Sequence, residues 1–195
     1  MSGGYSCVFW GAQARHPRTE LQYMNIIETN RLILRNFDEG DYDDVYEFLS
    51  QRKDDEFEAY PGIDYENCRE HMKYRIGSDE FIAIQEKISG KVIGNIYFGS
   101  RDFEAREIGY IVNKNYQRRG YAAEAVRAVI KYGFGSGVHR IFAECAPGNE
   151  CSWRLLESLG FEKEAHFRQN IYFRKDGNGR PVWQDTYVYC MLSDN

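Results

Sequence analysis

No stretch of this chain approaches the ~18 consecutive apolar residues that a membrane-spanning helix requires, so no membrane partner is expected. No basic block is present either. Lys and Arg number 25 against 30 Asp and Glu, a net charge of -5, and the electrostatic footprint of a nucleic-acid binder is missing. An acidic balance suits a cationic amine substrate, but it is common among proteins and decides little. The five cysteines (Cys7, Cys68, Cys145, Cys151, Cys190) are odd in number and scattered. None forms a CxxC or a Cys/His cluster with metal-ligand spacing, so no metal is expected. They read as reduced thiols, each a small buried hydrophobe, and the expected location is cytoplasmic. Internal repeats and low-complexity segments are lacking. His16, His71, His139 and His166 have no evident Ser or Cys partner and read as surface or core residues.

What is present fits one domain with a real core: 195 residues, 43% of them hydrophobic. Residues 1–23 show no periodicity and lack the apolar core of a secretory signal. Met24, followed by Asn25-Ile26-Ile27-Glu28-Thr29, reads as a natural start. Residues 1–23 are therefore expected to be a leader or tail outside the fold, and 24–195 a single domain.

Strands are expected at 31–35, 81–84, 91–98, 107–112 and 140–145, with two more around the turn Asp176-Gly177-Asn178-Gly179. Helices are expected at 38–50, 64–76, from about 121 to 135, and from Asn149 to Gly160. Consecutive strands joined by short turns imply antiparallel pairing. The strand–helix–strand unit over 107–145 implies one parallel pair with a right-handed crossover. The expected fold is α/β of the α+β type: a mixed, mostly antiparallel sheet with helices on both faces.

The most informative stretch is Gln117-Arg118-Arg119-Gly120-Tyr121-Ala122. It joins the strand Glu107-Ile108-Gly109-Tyr110-Ile111-Val112 to a helix whose apolar positions are Ala122, Ala125, Val126, Val129 and Ile130. A basic, glycine-containing turn at a helix N-terminus presents free backbone N–H groups and the positive end of the dipole. That is a site for a diphosphate-like anion. Gly120 permits close backbone approach. Arg118 and Arg119 add charge there or simply face solvent.

This stretch resembles the [Gln/Arg]-x-x-Gly-x-[Gly/Ala] pyrophosphate loop of the GNAT N-acetyltransferases. Asn149-Glu150-Cys151-Ser152 and Leu155-Leu156-Glu157-Ser158-Leu159-Gly160-Phe161 resemble a later segment of the same family. The resemblance runs from about Ile26 to Leu192 and leans toward the ribosomal-protein-alanine N-acetyltransferases (RimJ/RimL type). It implies a splayed parallel strand pair with acetyl-coenzyme A wedged between the strands, and transfer of the acetyl group to an amine. The acceptor is a protein N-terminus or a small-molecule amine, and the oligomer a monomer or homodimer. The alternative is a non-catalytic acyl-coenzyme A sensor of the same fold.

By resemblance, residues 117–122 (Gln117, Arg118, Arg119, Gly120, Tyr121, Ala122) hold the diphosphate, Asn149 contacts the pantetheine, and a backbone N–H near Ile111 or Val112 is the oxyanion donor. Glu107 is the expected base, since an alkylamine is protonated at pH 7; otherwise it is a solvated strand-end glutamate. Alternation places Glu107, Gly109 and Ile111 on one face. Ser152 is the expected acid or thiol-positioning group, because the family's usual tyrosine position holds Leu156. Asn149 and Ser152 also suit a plain helix cap. Tyr60, Tyr97 and Phe98 are expected to wall the acceptor pocket or to pack as ordinary aromatics. Asp185 is expected to bind a cationic acceptor or to be a polar sheet residue.

Overall fold

The computed structural model of the chain describes residues 26–52, 57 and 63–193; the leader 1–23, the start at Met24 and Tyr60 lie outside them. The sheet's interior comes from two strands, β3 (Phe81–Glu86) and β4 (Val92–Ser100), that are buried along almost their whole length. Strands covered on both faces lose the polar alternation of a half-exposed sheet. The other strands in chain order are β1 (Ile27–Glu28), β2 (Leu32–Arg35), β5 (Ala105–Val112), β6 (Arg140–Cys145), β7 (Glu162–Lys175) and β8 (Pro181–Leu192). They form one eight-stranded sheet in the order β1-β2-β3-β4-β5-β6-β8-β7, antiparallel everywhere except between β5 and β6.

Helices α1 (Tyr42–Ser50) and α2 (Cys68–Ile76) cover one face; α3 (Tyr121–Gly135) and α4 (Glu150–Ser158) cover the other. In α1, Val45, Phe48 and Leu49 are buried at the i, i+3, i+4 spacing of one helical face. They pack with Cys68 and Met72 of α2 against Ala83, Tyr97 and Ile111. On the far side Ala125, Val126, Val129 and Ile130 of α3 meet Ile96, Phe98, Ile108 and Ile141.

The expected order of elements holds, with differences at the ends. The helix expected from Asp38 begins as a 3-10 turn, Glu39–Asp41, closed by a reciprocal cap between Asp38 and Asp41. Arg35 grips that cap with Nη2 at 2.7 Å from Asp41 Oδ1. The second helix starts at Cys68 instead of Asp64, because Asp64 Oδ1 accepts from Asn67 N at 2.8 Å and turns the chain first. β5 starts at Ala105, so Glu107 is its third residue and not its first. β1 is two residues long, too short to show alternation in sequence.

Candidate active site

β5 and β6 are paired only at Ala105↔Arg140, Arg106↔Ile141 and Glu107↔Phe142. β5 nevertheless runs on to Val112 and β6 to Cys145. Beyond Glu107 the two strands part and a slit opens within the sheet. Asn113 N–H donates to Ile93 O at 2.8 Å, and the β4–β5 register is unbroken from Gly94↔Val112 to Ser100↔Arg106. Alternation therefore directs the N–H groups of 107, 109 and 111 toward β4 and those of 108, 110 and 112 toward the slit.

The basic loop sits at the far end of β5. Gln117 Nε2 donates to Val112 O at 2.9 Å and ties the loop to the strand. Arg118 (φ 61°) and Gly120 (φ 80°) both take the left-handed conformation, curling the chain into the start of α3. The first-turn N–H groups of α3 have no acceptor within the helix and point out of its end. Behind them Glu124 holds the β1–β2 turn to the helix: it accepts from Thr29 Oγ1 at 2.6 Å and from Arg31 Nε at 2.7 Å. Burial works against the Glu124 charge, but the bonds from Thr29 and Arg31 hold its carboxyl below the usual range. Arg31 Nη1 also donates to Arg119 O at 2.9 Å, so one guanidinium braces loop and helix together. Arg31, Gly120, Glu124, Arg127 and Lys131 border an open, largely basic depression of about 570 Å³.

The two faces of the slit differ in chemistry. On the α1/α2 face stand Glu107, Tyr97 and, from β6, Glu144. Burial pushes the Glu107 carboxyl up; the Arg101 guanidinium pulls it back, while Glu144 and Glu80 push it further up. Glu144 is raised too, by burial first, although its side chain still touches solvent. Gly109 lies between Glu107 and Ile111 on this face. A methyl group there would meet only Tyr97 Cβ at 3.8 Å, so the floor beside the carboxylate is open. On the α3/α4 face Tyr110 Oη lies 3.1 Å from Ser152 Oγ and donates to Ser152 O at 3.0 Å. Burial holds the Tyr110 phenol protonated, above its ordinary value. Burial and then Glu144 push the neighbouring Cys145 thiol up to about 11, against a hydrogen bond with Ser152. A thiol so protonated is a poor nucleophile at neutral pH.

Residues 31–162 match the acetyltransferase (GNAT) domain family. The chain belongs to the GNAT acetyltransferase family. An uncharacterized N-acetyltransferase of Bacillus subtilis, YnaD, is 32% identical over 174 residues, covering 86% of this chain and 97% of that protein. The [ribosomal protein uS5]-alanine N-acetyltransferase of Escherichia coli is 30% identical over 126 residues, 62% of this chain and 61% of its own. A GNAT-family acetyltransferase from Bacillus anthracis superposes with a TM-score of 0.78 at 30% identity, over 88% of this chain and 100% of that one. The fold is also that of RimL, an acetyltransferase of the ribosomal L7/L12 protein solved with coenzyme A (TM-score 0.74, 20% identity, 87% and 99% covered). By family, then, the chain is an acetyl-coenzyme A-dependent N-acetyltransferase.

Within this GNAT domain the expected site residues separate into those at the slit and those elsewhere. Glu107 lies at the apex where the strands part, with 17% side-chain exposure, and is ion-paired to Arg101 rather than solvated. Ser152 faces Tyr110 across the opposite side of the sheet. Asn149 is the cap of α4, its Oδ1 accepting from Ser152 N at 3.2 Å, and Ser152 is three residues inside the helix, not a cap. Ile111 turns its N–H to β4, leaving Val112, and Tyr110 beside it, as the N–H groups that face the slit. Tyr121 contributes only its backbone to the loop, since its ring is buried and its hydroxyl binds Glu86. Ala122 belongs to the first turn of α3 and is half-buried against the core. Arg119 is exposed, and Arg118 Nη1 reaches Cys151 Sγ at 3.6 Å. Tyr97 lines the carboxylate face, whereas Phe98 points the other way into the α3 packing and leaves the acceptor wall. Asp185 borders a depression of about 320 Å³ just beyond the end of β6. Both its oxygens are engaged, one with His166 Nε2 at 2.7 Å and one with Gln169 N at 2.9 Å. His166 thus has a partner that the sequence did not reveal. Arg101, Glu144 and Tyr110 were not singled out in the sequence; strand alternation from Glu107 would have found Tyr110's face, but nothing local signals the other two. Among the described residues no group of three or more His, Cys, Asp or Glu could hold a metal ion, and no helix is long and apolar enough to cross a membrane.

Proposed function

We propose that the protein moves the acetyl group of acetyl-coenzyme A to a primary amine by direct attack, with Glu107 as general base. The carrying observation is the position of Glu107: at the apex of the slit, on a carboxylate-lined face, one strand-length from a loop suited to a diphosphate. The ligand fits that frame in three places. Residues 117–122 and the first turn of α3 would take the diphosphate, Asn149 and the end of β6 would border the pantetheine, and the slit would hold the thioester.

In this scheme the amine arrives from the Glu107 side and passes a proton to its carboxylate, whose raised pKa suits proton acceptance. The nitrogen–carbon bond forms as the carbonyl oxygen gains charge. The slit-facing N–H of Val112, or of Tyr110, stabilises that charge. The carbon–sulfur bond breaks and the thiolate takes a proton from the Ser152 hydroxyl, which Tyr110 orients; the nitrogen's second proton leaves through solvent and restores the hydroxyl. Leu156 is fully buried and has no part in this step. The protonated Cys145 favours direct transfer over an acyl-cysteine route.

The acceptor follows from chemistry: a primary amine that is a cation in solution, on a protein N-terminus or on a small molecule. The absence of a cysteine framework suits the cytoplasm. Thiol release from acetyl-coenzyme A is the test, using peptides with N-terminal alanine, polyamines and amino sugars. Turnover with at least one amine is expected. Coenzyme A binding without release against the whole panel would overturn the reading in favour of an acyl-coenzyme A sensor.

A further inference from the structure

The base is not free to accept a proton as it stands, because another residue of the same chain already occupies it. Arg101 follows directly on β4, and its Nη2 is ion-paired with Glu107 Oε2. Its Nη1 and Nη2 each lie 3.3 Å from Tyr97 Oη, and Nη1 donates to Ser100 O at 2.8 Å. The guanidinium is 22% exposed and thus sits at the wall of the slit rather than within the core.

The chain holds it there through an unusual turn. Phe103 (φ 57°) and Glu104 (φ 56°) are successive non-glycine residues in the left-handed conformation, which L-residues adopt only against steric cost. Ala105 N donates to Asp102 O at 3.3 Å across that turn, and Arg101 N to Ala105 O at 2.9 Å. Glu104 O accepts from His139 N at 2.9 Å, which ties the turn to the start of β6. The segment that presents Arg101 is therefore fixed to both strands that form the slit.

A guanidinium stays protonated at any physiological pH and cannot itself move the proton. What it has in common with the substrate is its charge. We infer that the Arg101 guanidinium stands in the place of the acceptor's ammonium group and is displaced when the acceptor binds, making Arg101 a specificity-determining and positioning residue. This rests on Glu107 being the base, as proposed above. A nucleophile arriving as a cation can replace Arg101 at Glu107, whereas a neutral alcohol or amide cannot. The bonds to Tyr97 Oη and Ser100 O give the guanidinium a resting place when it swings aside. The charged and titratable groups around Glu107 are Glu80, just before β3, Tyr97 on β4, Arg101 on the turn and Glu144 on β6. Removing the one cation from this set must weaken the acidity of Glu107.

The test compares the parent protein with Arg101→Gln and the conservative Arg101→Lys. The probe acceptors are a short peptide with a free N-terminal alanine and spermidine. In Arg101→Gln, KM for the amine is expected to fall about threefold or more, since a partly exposed ion pair no longer competes. The acidic limb of its kcat/KM profile should move to higher pH, and Arg101→Lys should return it toward the parent. Millimolar methylguanidinium should inhibit Arg101→Gln competitively against the amine and leave the parent unaffected. An unchanged or higher KM with an unmoved limb would overturn the inference. If the parent acetylates neither probe, the proposed function has failed at these acceptors. Thermal unfolding then decides the role of Arg101 separately: a rise in Tm with methylguanidinium in Arg101→Gln, absent from the parent, supports it, and no rise refutes it.

Discussion

Glu107 carries opposing demands, and its surroundings settle them. Burial and two neighbouring carboxylates push its proton affinity up; a single guanidinium limits the rise. A base whose pKa lies above the ordinary carboxylate value loses activity as the pH falls through that raised value. The acidic limb of kcat/KM is therefore expected at higher pH than a solvated glutamate would give. Glu107→Gln is expected to lower kcat by on the order of a hundredfold or more while leaving coenzyme A affinity nearly unchanged. Turnover of that variant equal to the parent's would assign the proton to solvent. Asn149 and Ser152 can now be separated, because only Asn149 caps α4. Asn149→Ala should cost about 1 kcal/mol of stability. Ser152→Ala should unfold like the parent yet turn over more slowly; parental kinetics from it would exclude Ser152 from thiolate departure. Glu107 and Ser152 could be named as candidates from the sequence because each sits in a short segment with a family resemblance. Arg101, Glu144 and Tyr110 were not, because they reach the slit only through the pairing of β4 with β5 and the parting of β5 from β6.

At the scale of elements, the join between β5 and α3 and the contact between β4 and β5 set the site. Gly120 has φ of 80°, and a side chain there is strained whatever space it finds. Gly120→Glu adds a negative charge at the expected diphosphate position as well. Its affinity for coenzyme A should fall at least about tenfold, or about 1.4 kcal/mol, by calorimetry on folded protein. Gly94 is tight for another reason: a Cβ would stand 2.1 Å from Ile111 O and 3.0 Å from Val112 Cα. Backbone cannot yield as a side-chain tip does. Gly94→Ala is expected to destabilise the protein by about 1–3 kcal/mol and to lower Tm by several degrees; an unchanged Tm would mean that β5 shifts freely. The helices and long strands were readable from apolar spacing, since α1, α3 and α4 each bury a single stripe. The closeness of Gly94 to β5 was not, because a glycine in a strand has the same letter whether it faces space or a neighbouring backbone. The start of α2 was missed because the Asp64 side chain captured a backbone N–H that the helix would have used.

At the scale of the molecule, the sheet has ordinary edges at β1 and β7 and an unusual interior edge between β5 and β6. Residues 1–23 show no strand or helix periodicity and the family match begins at residue 31, so a protein beginning at Met24 is expected to keep the parent's Tm and activity. A marked fall in either would make residues 1–23 part of the working protein. The interior edge has its own signature in amide hydrogen exchange. Gly109 and Ile111 direct their N–H groups to β4, while Tyr110 and Val112, alternating with them, direct theirs into the slit. Along one strand at the centre of the protein, fast and slow amides should therefore alternate residue by residue, where a fully paired strand would be slow throughout. Coenzyme A lying in the slit should remove that alternation by protecting Tyr110 and Val112. The acetyl donor would then act mechanically as the missing neighbour of two strands, and the protein's least protected sheet hydrogens would be those nearest its chemistry instead of those at its rim.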